Sequence, residues 1–145
     1  PQTVSVIGNY VFQSCSSLED IELPASVTSL GQGVFMDCSS LTTVVFNSVP
    51  DCRGFALTSG SNPFYGCSAL EDVQLPAGWT ENLLISNGTT NFTNVLTHDS
   101  MVAMIANLYD YTGGTAHTLT LGAANLARLS AEEKAAATAK NWTLA

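Results

Sequence analysis

Cys15-Ser16-Ser17-Leu18-Glu19-Asp20-Ile21-Glu22-Leu23-Pro24-Ala25-Ser26-Val27-Thr28-Ser29-Leu30-Gly31-Gln32-Gly33-Val34-Phe35-Met36-Asp37-Cys38 decides the fold, because both of its halves recur elsewhere in the chain. Its second half, Val27 to Cys38, matches Val4-Ser5-Val6-Ile7-Gly8-Asn9-Tyr10-Val11-Phe12-Gln13-Ser14-Cys15 with every position displaced by 23. Its first half holds the pattern Leu18-x-x-Ile21-x-Leu23, which returns as Leu41-x-x-Val44-x-Phe46 and Leu70-x-x-Val73-x-Leu75. A third turn, Phe64-Tyr65-Gly66-Cys67, follows the second at a distance of 29, so six residues are inserted between Asn47 and Asn62.

A unit of 23 residues is too small to bury its own apolar face, so successive units must stack and share one core. The period therefore predicts a solenoid with short parallel strands about 4.8 Å apart. Leu18, Leu41 and Leu70 should align inside, as should Phe12, Phe35 and Phe64. Alternation turns Ile21 and Leu23 inward and Asp20 and Glu22 outward. Pro24 and Pro76 stop two strands, and Gly8 and Gly31 offer a permissive turn before each Phe.

Beyond Trp79 the pattern changes, which divides the chain into repeats at 1–79, with the insertion at 47–62, and a continuous strand and helix cap at 80–145. Asn82 to Ser86 reads as one more strand. A helix is expected from His98 to Asp110, capped by Thr97, with Met101, Ile105 and Leu108 as its apolar stripe and Gly113-Gly114 as its stop. A second opens on Ser130-Ala131-Glu132-Glu133, the pattern of a capping box, and Lys134 and Lys140 suit its far end. Each helix precedes a strand candidate, Thr118 to Leu121 and Trp142 to Leu144, again 23 apart. Helices would thus replace irregular return segments and close the core. Pro1, and a first repeat lacking its strand block, read as the start of a fragment of a longer protein.

Composition narrows the function. Charged residues make up 11% where soluble domains average about 25%, and Ser, Thr and Asn supply the polarity instead. A net charge of -8 argues against nucleic acid or an anionic bilayer as partner. No apolar run is long enough to insert in a membrane.

These residues resemble the BspA-like leucine-rich repeat family of bacterial surface proteins. Its repeat reads approximately Cys-x-x-Leu-x-x-Ile-x-Ile-Pro-x-x-Val-x-x-Ile-Gly-x-x-Ala-Phe, which residues 15 to 38 follow with Val34 for the usual Ala. Leu119-Thr120-Leu121-Gly122-Ala123, Asn125-Leu126-Ala127 and Asn141-Trp142-Thr143-Leu144 are similar to a C-terminal module of such proteins. The resemblance implies an α/β solenoid, a right-handed leucine-rich repeat coil with short parallel strands ending in a helix-containing cap, in a secreted or surface-attached bacterial protein that in some members is an adhesin.

The candidate site is the outward strand face: Asp20 and Glu22, Thr43 and Val45, Asp72 and Gln74, continued by Leu84 and Ser86, Thr118 and Thr120, and Thr143. Such a face suits a protein or glycan partner outside the cell, and Glu19, Asp20, Glu22, Glu71 and Asp72 would suit a basic partner or a weakly held calcium ion, although a solvated face explains the same charges more simply. Cys15, Cys38 and Cys67 share one repeat position and should stack as buried thiols; no Cys-x-x-Cys pair suggests zinc, although a disulfide between adjacent coils stays open. Cys52 falls in the insertion, which either forms a lip beside the face or folds back over the core. His98 and His117 lie in no catalytic signature. Asn87-Gly88-Thr89, Asn91-Phe92-Thr93 and Asn141-Trp142-Thr143 match the glycosylation acceptor pattern, as Asn-rich chains do by chance. The reading is therefore of a monomeric, non-catalytic binding module without cofactor or bound metal, or of a structural spacer and end cap of a longer surface or phage-tail protein.

Overall fold

The computed structural model describes residues 3–51, 62–86 and 95–145. Cys52, most of the insertion and the two acceptor motifs at 87–89 and 91–93 lie outside the described residues. The elements are, in chain order, β1 (Val6–Ile7), β2 (Asp20–Leu23), β3 (Ser29–Leu30), β4 (Thr43–Phe46), β5 (Asp72–Gln74), β6 (Leu83–Leu84), α1 (His98–Asn107), β7 (His117–Thr120), α2 (Ala123–Leu126), α3 (Ala131–Ala139) and β8 (Trp142–Leu144). The strands form three small parallel sheets, ordered β1-β3, β2-β4-β5 and β6-β7-β8.

The register follows the repeat. Val6 pairs with Ser29, and Asp20 with Thr43, each displaced by 23; Thr43 pairs with Asp72, displaced by 29. The six inserted residues thus leave the strand ladder in step. Phe12 and Phe35 stack with centroids 5.8 Å apart, and Phe35 and Phe64 with centroids 6.1 Å apart. Leu41, Leu70, Val44 and Val73 are buried beside them, with Leu18 and Ile21 partly buried at the first repeat. Each buried Phe contributes roughly 1.5–3 kcal/mol by leaving water, and each ring pair about 0.5–1.5 kcal/mol more.

The turns solve their steric problem differently from the sequence reading. Gly8 and Gly31 are not the left-handed residues; Tyr10 and Gly33 occupy one left-handed repeat position (φ 58° and 56°), and Ser14, Asp37 and Gly66 another (φ 59°, 60° and 78°). Gly31 is required for a different reason: a Cβ there would collide with the backbone of Gly8 and Asn9 in the repeat before it. Gly33 combines both demands, since its Cβ would strike the Tyr10 ring.

The C-terminal part departs from expectation in its layout. Thr42 N–H donates to Glu19 O (2.7 Å), Glu71 N–H to Thr42 O (3.0 Å) and Thr97 N–H to Glu71 O (2.8 Å). Thr97 therefore enters the fourth place in the β2-β4-β5 ladder, and α1 begins there. α1 takes the place of the next strand in that ladder, and α1 and α3 also form the return segments between the parallel strands β6, β7 and β8, as expected. It is capped by the Thr97 hydroxyl, which accepts from Ser100 N–H. It ends at Asn107, before the expected Asp110, because Leu108 turns extended and bridges to Trp79. Trp79 N–H donates to Asn107 O and Tyr109 N–H to Trp79 O, both at 2.9 Å.

α3 has the expected capping box, Ser130 N–H donating to Glu133 Oε2 (2.7 Å) and Glu133 N–H to Ser130 Oγ (3.2 Å). Lys140 serves a neighbour instead of its own helix: its Nζ donates to the carbonyls of Ile105, Ala106 and Leu108 at the end of α1. Those carbonyls carry the negative end of that helix and have few partners within it. β7 and β8 pair with a displacement of 25, Leu119 against Leu144, where the sequence suggested 23. Among the described residues no helix is long and apolar enough to cross a membrane.

Candidate functional site

The β2-β4-β5 sheet sorts its side chains by alternation. Ile21, Val44 and Val73 pair in one inward row, with Val44 and Val73 fully buried. Asp20, Thr43 and Asp72 form one outward row, and Glu22, Val45 and Gln74 the next. Six of the eight expected site residues are thereby brought together on one short sheet.

The remaining two are elsewhere. Thr118 and Thr120 lie on β7, in a separate sheet, where Thr120 pairs with Leu84 and Thr118 with Thr143. The face does not continue from Gln74 into these residues, because α1 occupies the place beside β5 that another strand would need. Leu84 and Ser86, expected to project into solvent, are both buried at 3% exposure. The Leu84 carbonyl accepts from the Asn62 amide, itself buried, at 3.1 Å.

The outward polar groups bond chiefly to one another. Thr42 Oγ1 donates to Asp20 Oδ1 (3.0 Å), Asn47 Nδ2 to Glu22 Oε1 (2.7 Å) and Gln74 Nε2 to Asp72 Oδ2 (2.8 Å). These exposed bonds orient the carboxylates at little net energy, since water competes for every partner. Asp20, Glu22 and Asp72 share the outward face, and neither they nor Glu19 and Glu71 have a basic group bonded to them among the described residues. Of the described cations, Arg128 Nη1 donates to Leu96 O and Lys140 is spent on α1.

At its last strand the face meets a groove of about 370 Å³ lined by Asp72, Gln74, Thr97, Asp99, Ala103 and Asn107. Its wall is held by residues that the sequence reading passed over. Ser100 is buried at the β5 seam: Val73 N–H donates to its Oγ at 2.9 Å, and the same hydroxyl reaches Val73 O at 3.4 Å. Asn107 Nδ2 donates to Leu75 O at 2.8 Å. Two side chains thus do what the backbone of a fourth strand would have done for β5. The signal available was a serine and an asparagine placed on a helix whose other face is Met101, Met104 and Ile105.

The cysteine column is confirmed in two of its three members. Cys38 Sγ donates to Phe12 O (3.0 Å) and Cys67 Sγ to Phe35 O (3.1 Å), each thiol reaching the preceding repeat. Burial pushes the Cys67 thiol up to about 12 and raises Cys38 as well. Cys15, expected to be buried, is exposed, and all three are free thiols. The histidines have structural partners: His98 Nε2 lies 3.0 Å from Glu133 Oε1, and His117 stacks on Tyr111 at 4.0 Å. Among the described residues no group of three or more His, Cys, Asp or Glu could hold a metal ion.

The family model for BspA-type leucine-rich repeats matches residues 1–109 in six copies, running through α1. Repeats of this type serve in protein binding or as structural repeats, are generally non-enzymatic and are typically associated with bacterial surfaces. Comparison with curated proteins and with solved structures returns no match. With a repeat match over most of its length and the same period visible in its hydrogen bonds, the chain belongs to the BspA-type leucine-rich repeat family.

Proposed function

We propose that this chain is a monomeric, non-catalytic recognition module of an extracellular or surface-attached bacterial protein. The stacked repeats at 1–79 form a right-handed solenoid, and residues 80–145 continue and close it. Its binding surface is the short face of Asp20, Glu22, Thr43, Val45, Asp72 and Gln74 together with the groove at α1. The partner is a protein or glycan of a host or neighbouring cell, and a basic protein segment fits best.

One observation carries this reading: the outward carboxylates stand in register on one sheet with no cation bonded to them among the described residues. Like charges gathered this way raise the local negative potential, which attracts a basic partner and is weakened by salt. The test is binding of the immobilised chain to a lysine-rich peptide and to purified matrix proteins. With Asp20, Glu22, Asp72 and Gln74 all replaced by Ala, binding should vanish while Tm falls by no more than about 8 °C and the chain stays folded, because each such surface substitution costs at most about 0.5 kcal/mol. Undiminished binding would exclude this face.

The hydrogen bonds that Asp20, Glu22 and Asp72 accept from Thr42, Asn47 and Gln74 favour a second reading, in which the segment is a spacer and end cap of a longer surface or phage-tail protein. Under it the chain captures no matrix protein, and deleting residues 80–145 aggregates the repeats.

A further inference from the structure

In the groove between β5 and α1 the amide donors are committed inward and the acceptors are left over. Gln74 Nε2 donates to Asp72 Oδ2 and Asn107 Nδ2 to Leu75 O, each at 2.8 Å. The buried Ser100 hydroxyl is held by the backbone of Val73. Gln74 and Asn107 are thus left with an amide oxygen each, beside the Asp72 and Asp99 carboxylates. Asp99 is fully exposed, and its neighbour His98 turns Nε2 to Glu133, leaving Nδ1 3.7 Å from Asp99 Oδ1, too far for a hydrogen bond.

Size and chemistry narrow the occupant. At about 370 Å³ the groove stands at the small end of ligand pockets, which span roughly 300–1,000 Å³, so it has room for one long side chain and not for a folded segment. Leu75 and Ala103 add apolar surface on which the methylenes of such a side chain can lie. The amino end of α1 opposes a cation, but the Thr97 hydroxyl takes up one of its amides and Asp99 in its first turn offsets the dipole. Calcium needs about six to eight converging oxygens, and no group of three or more metal-binding side chains converges among the described residues. A lysine offers its donors from one strongly hydrated point, whereas a guanidinium spreads five donors over a plane and sheds water more easily.

We infer that the groove between β5 and α1 seats one arginine side chain of a basic partner, its guanidinium donating to the oxygens of Asp72, Gln74, Asp99 and Asn107. The inference rests on the proposed binding face and adds what that face selects: arginine over lysine at one position of the bound segment. The outward rows of β2 and β4 supply attraction that any basic segment feels, and the groove at β5 supplies the discrimination.

The test measures, by fluorescence anisotropy at low salt, binding of the whole chain to two labelled nonapeptides of alternating lysine and serine, one with its central lysine replaced by arginine. The arginine peptide should bind at least about fivefold more tightly. Ala103→Phe, which fills the groove from an exposed helix position and keeps every carboxylate, should remove that advantage and leave the lysine peptide's affinity within about twofold. Asp99→Asn should reduce the advantage, whereas Glu132→Gln, the same charge change on the exposed face of α3, should preserve it; this pair decides if Ala103→Phe lowers Tm. Equal affinity of the two peptides for the unaltered chain overturns the inference and leaves the face standing. An arginine advantage that survives Ala103→Phe in a folded chain also overturns it, by placing the guanidinium elsewhere. Binding of neither peptide overturns the reading of the face itself, and the inference with it.

Discussion

Two junctions in this molecule carry out the same task by different means. Between the first and second repeats, strand lies on strand, and every strand pairing joins a residue to its counterpart 23 positions on. Between β5 and α1 a helix lies on a strand, and Ser100 and Asn107 supply from their side chains the bonds that a backbone supplied before. The first junction tolerates varied outward residues, because its bonds belong to atoms that every residue has. The second depends on particular side chains, and a single substitution can unmake it.

The largest expected effect tests the first junction where it is fully enclosed. Phe35, stacked between Phe12 and Phe64 and fully buried, should cost about 3–5 kcal/mol as Phe35→Ala in urea unfolding, and Phe12→Ala clearly less because its ring is partly in water. Equal losses would mean that the column does not act as a graded core. Next comes Ser100→Ala, which removes one small hydroxyl but strands the Val73 N–H at a buried seam; about 1–3 kcal/mol is expected. Ser100→Thr, which restores a hydroxyl, should recover part of that loss, whereas no loss in the Ala variant would show the helix seam to be held by packing alone.

Two titrations sharpen the contrast further. Cys67 is raised to about 12 and Cys38 is raised too, so the folded state keeps protons that the unfolded state releases. Their contribution is complete below the ordinary thiol value of 9.0 and declines as pH climbs above it, so stability should fall on the alkaline side. Cys67→Ala should flatten that fall, and iodoacetamide at neutral pH should label Cys15 while sparing Cys38 and Cys67 in the native protein. The smallest effect belongs to the helical side. The Ser130 backbone N–H, with a lesser share from His98, holds the Glu133 carboxyl below its ordinary 4.5. Its contribution is present above 4.5 and lost as pH falls through the lower folded value, so Glu133→Gln should flatten the acid limb of a Tm profile slightly.

The site was legible in proportion to how local its cause was. Asp20, Glu22, Thr43, Val45, Asp72 and Gln74 follow from alternation within strands whose register the period fixes, and the structure sets them together. Thr118 and Thr120 were joined to them by the wrong inference, that strands similar in pattern must share a sheet. Nothing in Leu119-Thr120-Leu121 tells which ladder it enters, since α1 claims the adjoining edge of β5 through contacts across 27 residues. The 25-residue displacement of β8 was hidden for the same reason: Leu121 and Leu144 match by spacing, but Leu119 is the residue that pairs.

Repetition, alternation and capping are properties of neighbouring residues, so the sequence by itself determined the stacked repeat, the Phe and Leu columns, the Thr97 cap and the Ser130–Glu133 box. The tertiary structure alone decided where the strand ladder stops, which carbonyls Lys140 satisfies, and that Leu84 and Ser86 are buried. Those outcomes depend on which surfaces meet, and a residue's own neighbours along the chain do not encode what is brought against it from far away.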